Sequence, residues 1–170
     1  MSDVFFNEIE KLGHLIGKNQ FRLVYGGANC GLMGRVADSA LKVGGQVLGI
    51  MPEVFADKEV THSGLSQLEK VPDFFARKKA MLESSDAFIV FPGGIGTLDE
   101  AIEMICYRQI NIHEKPIIFV NLFGFWDRFF DMMFEIRQQK MIGEPLNHYY
   151  DVVNNSAQAI DVLKKEWELL

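Results

Sequence analysis

Two short runs constrain the fold more than anything else in this chain. Residues 87–91 read Ala-Phe-Ile-Val-Phe and residues 116–120 read Pro-Ile-Ile-Phe-Val. Neither alternates polar with apolar, so neither can be a strand with one wet face; continuous runs of this length mark strands covered on both sides, as in parallel sheets. Helical patterns separate them from each other and from further strand-like runs. Helices are expected at 4–18 (Phe5, Ile9, Leu12, Leu15 and Ile16 at helical spacing), 31–43, 74–84, 97–109, 126–139 and from Ser156, with strands at 22–25, 46–51, 87–91, 117–121 and 150–153. Strands alternating with helices predict an α/β fold with a single doubly wound, Rossmann-like parallel sheet. The polar stretch from Pro52 to Pro72 is expected to be a surface loop.

The 170 residues form one expected domain, 1–170, with no composition break; 48% are hydrophobic and 24% charged, enough for a sizeable core. The apolar runs are far too short to span a bilayer, and the first residues show no basic-then-apolar leader, so neither membrane nor secretion is expected. Cys30 and Cys106 lack paired spacing, which suits a reducing, cytoplasmic compartment and argues against structural zinc. His14, His62, His113 and His148 are scattered without ligand spacing, so no metal and no chemistry is assigned to them. Net charge is −6. Binding to nucleic acid rewards basic surfaces through counterion release, so that class is disfavoured. Small anions stay open, because helix-start amides hold them without net positive charge.

Two glycine-rich segments follow strands and precede helices: Tyr25-Gly26-Gly27-Ala28-Asn29-Cys30-Gly31-Leu32-Met33-Gly34 and Phe91-Pro92-Gly93-Gly94-Ile95-Gly96-Thr97-Leu98-Asp99-Glu100. Parallel sheets bind ligands beyond the carboxyl ends of their strands. Glycines let backbone approach a ligand, and the helix starts suit a phosphate. Neither loop has the dinucleotide or P-loop glycine spacing, which speaks against a dehydrogenase.

The second segment matches P-G-G-x-G-T-x-x-E, and the chain here resembles the Lonely Guy family, cytokinin riboside 5′-monophosphate phosphoribohydrolases, many once mislabelled lysine decarboxylases. Arg77-Lys78 followed by Met81 is similar to that family's M-x-x-R-K-x-x-M element, with Phe74 at the first Met. The first loop is similar to its Y-G-G-G-x-x-G-L-M-G, with Ala28 at the third Gly. The similarity runs from about Val4 to Asp151. It implies a dimeric Rossmann-like hydrolase, without organic cofactor, that releases free base and ribose 5-phosphate. Arg77 and Glu100 carry over as the catalytic residues. Substrate is expected at Gly26, Gly27, Gly31, Met33, Gly34, Lys78, Gly93, Gly94, Gly96, Thr97 and Glu103. Family members begin with a strand and a Cys-Gly-Ser-type loop; this chain starts almost at the first helix, so the sheet is expected without its first, central strand.

The residues themselves agree with that chemistry. N-glycoside hydrolysis passes through an oxocarbenium-like state, which a carboxylate stabilises or feeds with an activated water. Glu100 suits that role, though Thr97-x-x-Glu100 also has the form of a capping box, with Thr97 as helix cap. Glu103, one turn on, either binds ribose hydroxyls or is solvated. Arg77 suits phosphate, against the blander reading of 77–79 as a solvated basic face. Phe123, Phe125, Trp126, Phe129, Phe130 and Phe134 read as core and dimer surface rather than a base-stacking platform. The expected activity is therefore hydrolysis of a purine nucleoside 5′-monophosphate such as AMP or an N6-substituted relative, by a homodimer. The alternative is a noncatalytic nucleotide or pterin (molybdenum cofactor) carrier of the same fold.

Overall fold

The computed structural model describes residues 3–56 and 61–168. It divides into two compact units, Met1–Ser85 and Asp86–Leu170. The first contains α1 (Asp3–Lys18), β1 (Arg22–Tyr25), α2 (Gly31–Lys42), β2 (Gln46–Pro52), the single turn α3 (Glu53–Ala56), β3 (Gln67–Val71) and α4 (Phe74–Ser84). The second contains β4 (Phe88–Val90), α5 (Ile95–Gln109), β5 (Ile117–Val120), α6 (Asp127–Gln138), β6 (Asp151–Val153) and α7 (Ser156–Glu168). All ladders are parallel, as the sequence predicts. Where one sheet was expected, however, the described strands form two of three strands each, β1-β2-β3 and β4-β5-β6. Hydrogen bonding thus leaves β1 and β4 at the ends of their ladders.

In the first unit Val24 pairs with Leu48, and Leu48 pairs in turn with Gln67. Leu48, Ile50 and Val71 form a core against which Ala76, Ala80 and Met81 of α4 pack. Tyr25, Ala37, Ala40 and Val47 form another, beneath α2. Helices α1 and α2 meet at backbone distance. A Cβ on Gly13 would collide with the Val36 carbonyl and stand 3.0 Å from Ser39 Cβ; one on Gly17 would come to 2.7 Å from the Ala40 carbonyl; one on Gly45 would reach Gly17 Cα at 2.6 Å.

The strand β3 corrects the expected surface loop of 52–72, as does α3; residues 57–60 of that loop lie outside the described residues. Its sequence, Gln-Leu-Glu-Lys-Val, hides it because it is an edge strand. Edge strands carry charge that discourages pairing with other chains, and only Val71 here is buried.

In the second unit β5 is fully buried, Ile117 to Val120 each at 0% exposure, as an unalternating run should be. Phe119 is the hub: its ring lies 5.3 Å from Phe129, 5.6 Å from Trp126, 5.5 Å from Phe130 and 5.2 Å from Tyr150. The aromatic cluster therefore divides. Trp126 and Phe129 are core, whereas Phe123, Phe125 and Phe134 are exposed.

Candidate functional site

The first glycine segment leaves the carboxyl end of β1 and enters α2. Gly26, Gly27 and Ala28 are buried. Gly27 has φ +82°, a left-handed conformation that a Cβ would strain. Its carbonyl accepts the His62 N–H at 3.1 Å, and Ala28 bridges Thr61. Cys30 is the N-cap of α2 and makes no side-chain cap bond. The first-turn amides, at Gly31, Leu32 and Met33, are therefore available to an anion. Gly34 lets the helix close on the loop, since a Cβ there would stand 2.6 Å from Asn29 Oδ1.

Helix α4 brings Arg77 to this loop. Asp73 caps the helix by accepting the Ala76 N–H at 2.8 Å, which fixes its start. Arg77 then points its guanidinium at Gly26: a Cβ on that glycine would collide with Nη2 and stand 3.2 Å from Cζ. The guanidinium also lies 5.6 Å from the centre of the Phe74 ring. A solvated basic face fits Lys79, which is exposed and reaches Glu83 at 3.8 Å. It does not fit Arg77. Lys78 is half-buried.

One part of this half was not read from the sequence. His62, only 7% exposed, accepts the Gly64 N–H on Nδ1 at 3.1 Å, so its Nε2 donates to Asp38 Oδ1 at 3.1 Å. The pair ties α2 to the segment that holds the Gly27 carbonyl. No local pattern announces it, because the partners come from different elements. The buried Tyr25 hydroxyl finds no hydrogen-bond partner among the described residues, and burial, with Asp38 and Cys30 adding, pushes its pKa above the ordinary tyrosine value.

The second glycine segment leaves β4 and enters α5. The helix starts at Ile95 with Gly94 as its N-cap, two residues before the expected Thr97. Thr97 is then the third helical residue and Glu100 the sixth. The capping-box reading of Thr97-x-x-Glu100 is corrected: that motif needs its acid three residues after the cap. The early start follows from Gly94 itself, whose extended backbone (φ −93°, ψ −157°) turns into the helix without a side-chain cap.

The three glycines here have different reasons to be glycine. A Cβ on Gly93 would collide with Thr97 Oγ1 and stand 2.8 Å from its Cβ. On Gly94 or Gly96 it would meet nothing within 4 Å. Protein packing therefore demands Gly93 but leaves open the space over Gly94 and Gly96, where a ligand would press on the backbone. Thr97, Glu100 and Glu103 are all half-buried on α5. Glu103 is not simply solvated: its Oε1 accepts the Tyr107 hydroxyl at 3.0 Å. His113 supports the far end of the helix. Its Nδ1 accepts the Lys115 N–H at 3.1 Å while Nε2 donates to the Met104 carbonyl at 3.0 Å, and burial lowers its pKa.

Other sites are poorer. No group of three His, Cys, Asp or Glu residues could hold a metal among the described residues, and no described helix is long and apolar enough to cross a membrane. An open depression of ≈ 660 Å³ lies at the amino end of β2, away from the first glycine loop. Its lining, which includes His14, Lys18 and Gln46, offers no buried polar side chain.

Comparison with known proteins points the same way. The family described as possible lysine decarboxylase matches residues 33–163. A cytokinin riboside 5′-monophosphate phosphoribohydrolase from Rhodococcoides fascians is 45% identical over 113 residues, 66% of this chain and 57% of that protein. One from Arabidopsis thaliana is 31% identical over 155 residues, covering 91% of this chain and 71% of the relative. A probable member from Oryza sativa subsp. japonica is 40% identical over 117 residues, 69% of this chain and 52% of the relative. The chain thus spans little more than half the length of several curated relatives. Among solved structures, the molybdenum cofactor carrier protein of Chlamydomonas reinhardtii has a TM-score of 0.72 at 19% identity, covering 97% of this chain and 89% of the other. A molybdenum cofactor binding protein from Rippkaea orientalis has a TM-score of 0.71 at 20% identity, covering 96% and 88%. At that identity the likeness shows a shared Rossmann-like fold alone.

Proposed function

We propose, since this chain belongs to the Lonely Guy family, that it hydrolyses the N-glycosidic bond of a purine nucleoside 5′-monophosphate. Water adds across the bond: its oxygen joins C1′, a proton goes to the departing base, and free base and ribose 5-phosphate result. AMP and N6-substituted, cytokinin-type AMP are the substrates of this reading. Residues 1–170 act as one nucleotide-binding domain in it.

Glu100 is the group that faces developing positive charge at C1′ and takes the proton of the attacking water. Its place inside α5, beyond the first turn, supports a chemical role over a capping one. Arg77 holds phosphate through charge-assisted hydrogen bonds, with Lys78 adding charge. In the first unit the Gly31 and Met33 amides offer phosphate contacts at the start of α2, beside Gly34, whose own N–H donates to the Cys30 carbonyl. In the second, Gly93, Gly94 and Gly96 offer backbone to the ligand, Thr97 adds a hydroxyl, and Glu103 binds ribose. The observation that carries the reading is the Arg77 guanidinium seated against Gly26, at a glycine loop instead of in solvent.

A homodimer fits the exposed apolar surface. Helix α4 buries none of its residues and leaves Phe75 84% exposed; Ile102, Ile110 and Ile112 are exposed along and after α5. Light scattering should give twice the chain mass at micromolar concentration; a monomer there defeats the dimer. Free, exposed Cys30 and Cys106 support a reducing, cytoplasmic location.

The test is chromatographic detection of base released from AMP and from adenosine. Wild type should release adenine from AMP. Arg77→Ala should lose turnover and affinity for phosphate-bearing substrate together. If wild type releases no base from any nucleotide, the enzyme reading falls and a carrier role takes its place.

A further inference from the structure

Four described non-glycine residues have positive φ: Gln20, Asn111, Lys140 and Phe123. The first three close helices in the ordinary way. Each sits just past a helix end, with backbone N–H groups bonding back to the last turn: Gln20 to Gly17 and Phe21 to Ile16, Asn111 to Arg108 and Ile112 to Tyr107, Lys140 to Arg137 and Met141 to Ile136. Phe123 is different. It follows a strand, holds φ 51° and ψ 31°, and is 81% exposed.

An aromatic residue in the left-handed region is strained, and glycine or asparagine would be at ease there. The loop nevertheless enforces the conformation. Asn121 anchors it: its N–H donates to the Val153 carbonyl at 2.7 Å, its Oδ1 accepts the Trp126 N–H at 2.8 Å, and its Nδ2 donates to Asp127 Oδ1 at 2.8 Å. Asp127 in turn leaves no room for a side chain at Gly124, which has φ +73°. A rigid loop thus projects a strained Phe into solvent, and nothing in its own unit's core gains from it.

Its address in the sheet supplies the reason. Val90 of β4 pairs with Phe119 of β5 in parallel register. The loop carrying Gly93 and Gly94 and the loop carrying Phe123 therefore leave neighbouring strands at the same carboxyl edge, about 5 Å apart where they begin. A nucleotide held by its phosphate over Gly94 and Gly96 is long enough to reach the next loop. We infer that Phe123 is the platform on which the purine of the substrate stacks. The inference rests on the proposed function and adds to it the residue that recognises the base; it revises the reading of Phe123 as core or dimer surface.

Strain and stacking make opposite demands, which gives the test its edge. Wild type, Phe123→Gly and Phe123→Trp are compared by AMP hydrolysis, by inhibition with ribose 5-phosphate (the same phosphate and sugar without a base) and by thermal melting. Loss of one base–aromatic stack should raise KM for AMP about tenfold in Phe123→Gly, with kcat within about twofold. Phe123→Trp should keep wild-type KM, and ribose 5-phosphate should inhibit all three proteins alike. Melting temperature of Phe123→Gly should hold or rise as the strain is relieved. An unchanged KM in Phe123→Gly overturns the inference. So does weaker inhibition by ribose 5-phosphate, a fall in melting temperature, or a shift in light-scattering mass that makes Phe123 a contact between copies. If wild type hydrolyses nothing, the activity fails separately and the same comparison is made by calorimetric binding. AMP affinity that falls about tenfold in Phe123→Gly, with ribose 5-phosphate unaffected, then sustains the platform; equal AMP affinities, or no AMP binding, sink it.

Discussion

Gly26→Ala isolates one contact with little else disturbed. Gly26 does not need glycine for its backbone, since its φ lies outside the left-handed region. The three atoms nearest its Cβ would all belong to Arg77, which it would strike at Nη2 while standing 3.2 Å from Cζ and 3.7 Å from Nε. The guanidinium must retreat by about 1 Å to restore ordinary contact. Because the obstructed group is the far end of a flexible side chain, the fold yields easily. Alanine at a compatible position also narrows the unfolded ensemble, worth about 0.4–1 kcal/mol in favour of the folded state. Catalysis is less forgiving, because a misplacement of about 1 Å in a positioned group costs on the order of 10²-fold. Gly26→Ala should therefore melt at or above the wild-type temperature while kcat/KM for AMP falls between about 10- and 100-fold. Adenine release followed by chromatography, with circular dichroism melts on the same preparations, reads both quantities. Full activity with an unchanged melt would show that the seat of Arg77 on Gly26 has no part in turnover; a collapsed melt would show that the glycine serves the core.

Three further outcomes are expected. Glu100→Gln should lower kcat by about 10²-fold or more and leave the melting temperature where it was, because the residue lies beyond the helix cap; a wild-type rate removes it from the chemistry. Gly93→Ala should destabilise, since Thr97 is short and cannot swing away, whereas Gly94→Ala should keep the fold and weaken AMP more than adenosine; equal melting losses in the two variants would contradict the open space over Gly94. Burial holds the His113 pKa below about 6.5, so the unfolded chain takes up this proton first as pH drops. The stability it gives is complete above that value and declines below it until the lower folded pKa is passed. His113→Gln should therefore lose less melting temperature than wild type between pH 7 and 5.5, and parallel slopes would refute the assignment.

What the sequence disclosed, and what it withheld, follows from range. Strand β5 was readable because burial on both faces leaves its mark residue by residue, and β4 because its run is equally unalternating, although Phe88 and Ile89 are only half-buried. Helix α4 was placed at its observed bounds, Phe74–Ser84. Strand β3 was hidden because an edge strand is written in the same polar letters as a loop. The start of α5 was set two residues late because Ile95-Gly96 reads as the tail of a glycine turn, and that error produced the capping box. The motifs named the residues of both loops, but not the contacts that shape them. The seat of Arg77 on Gly26 and the bond between His62 and Asp38 join distant parts of the chain, and only the fold brings such pairs together.

The backbone contact between α1 and α2 bears on how this protein can change over generations. Gly13, Gly17 and Gly45 are blocked by main-chain atoms that cannot swing aside, so selection for folding alone is enough to keep them. Gly94 and Gly96 face open space, and on the proposed reading they answer to the nucleotide instead. A lineage that gave up its ligand would be free to replace the second pair while still retaining the first three. On the proposed reading the two sets of glycines thus answer to separate demands, one set by the fold and the other by the nucleotide.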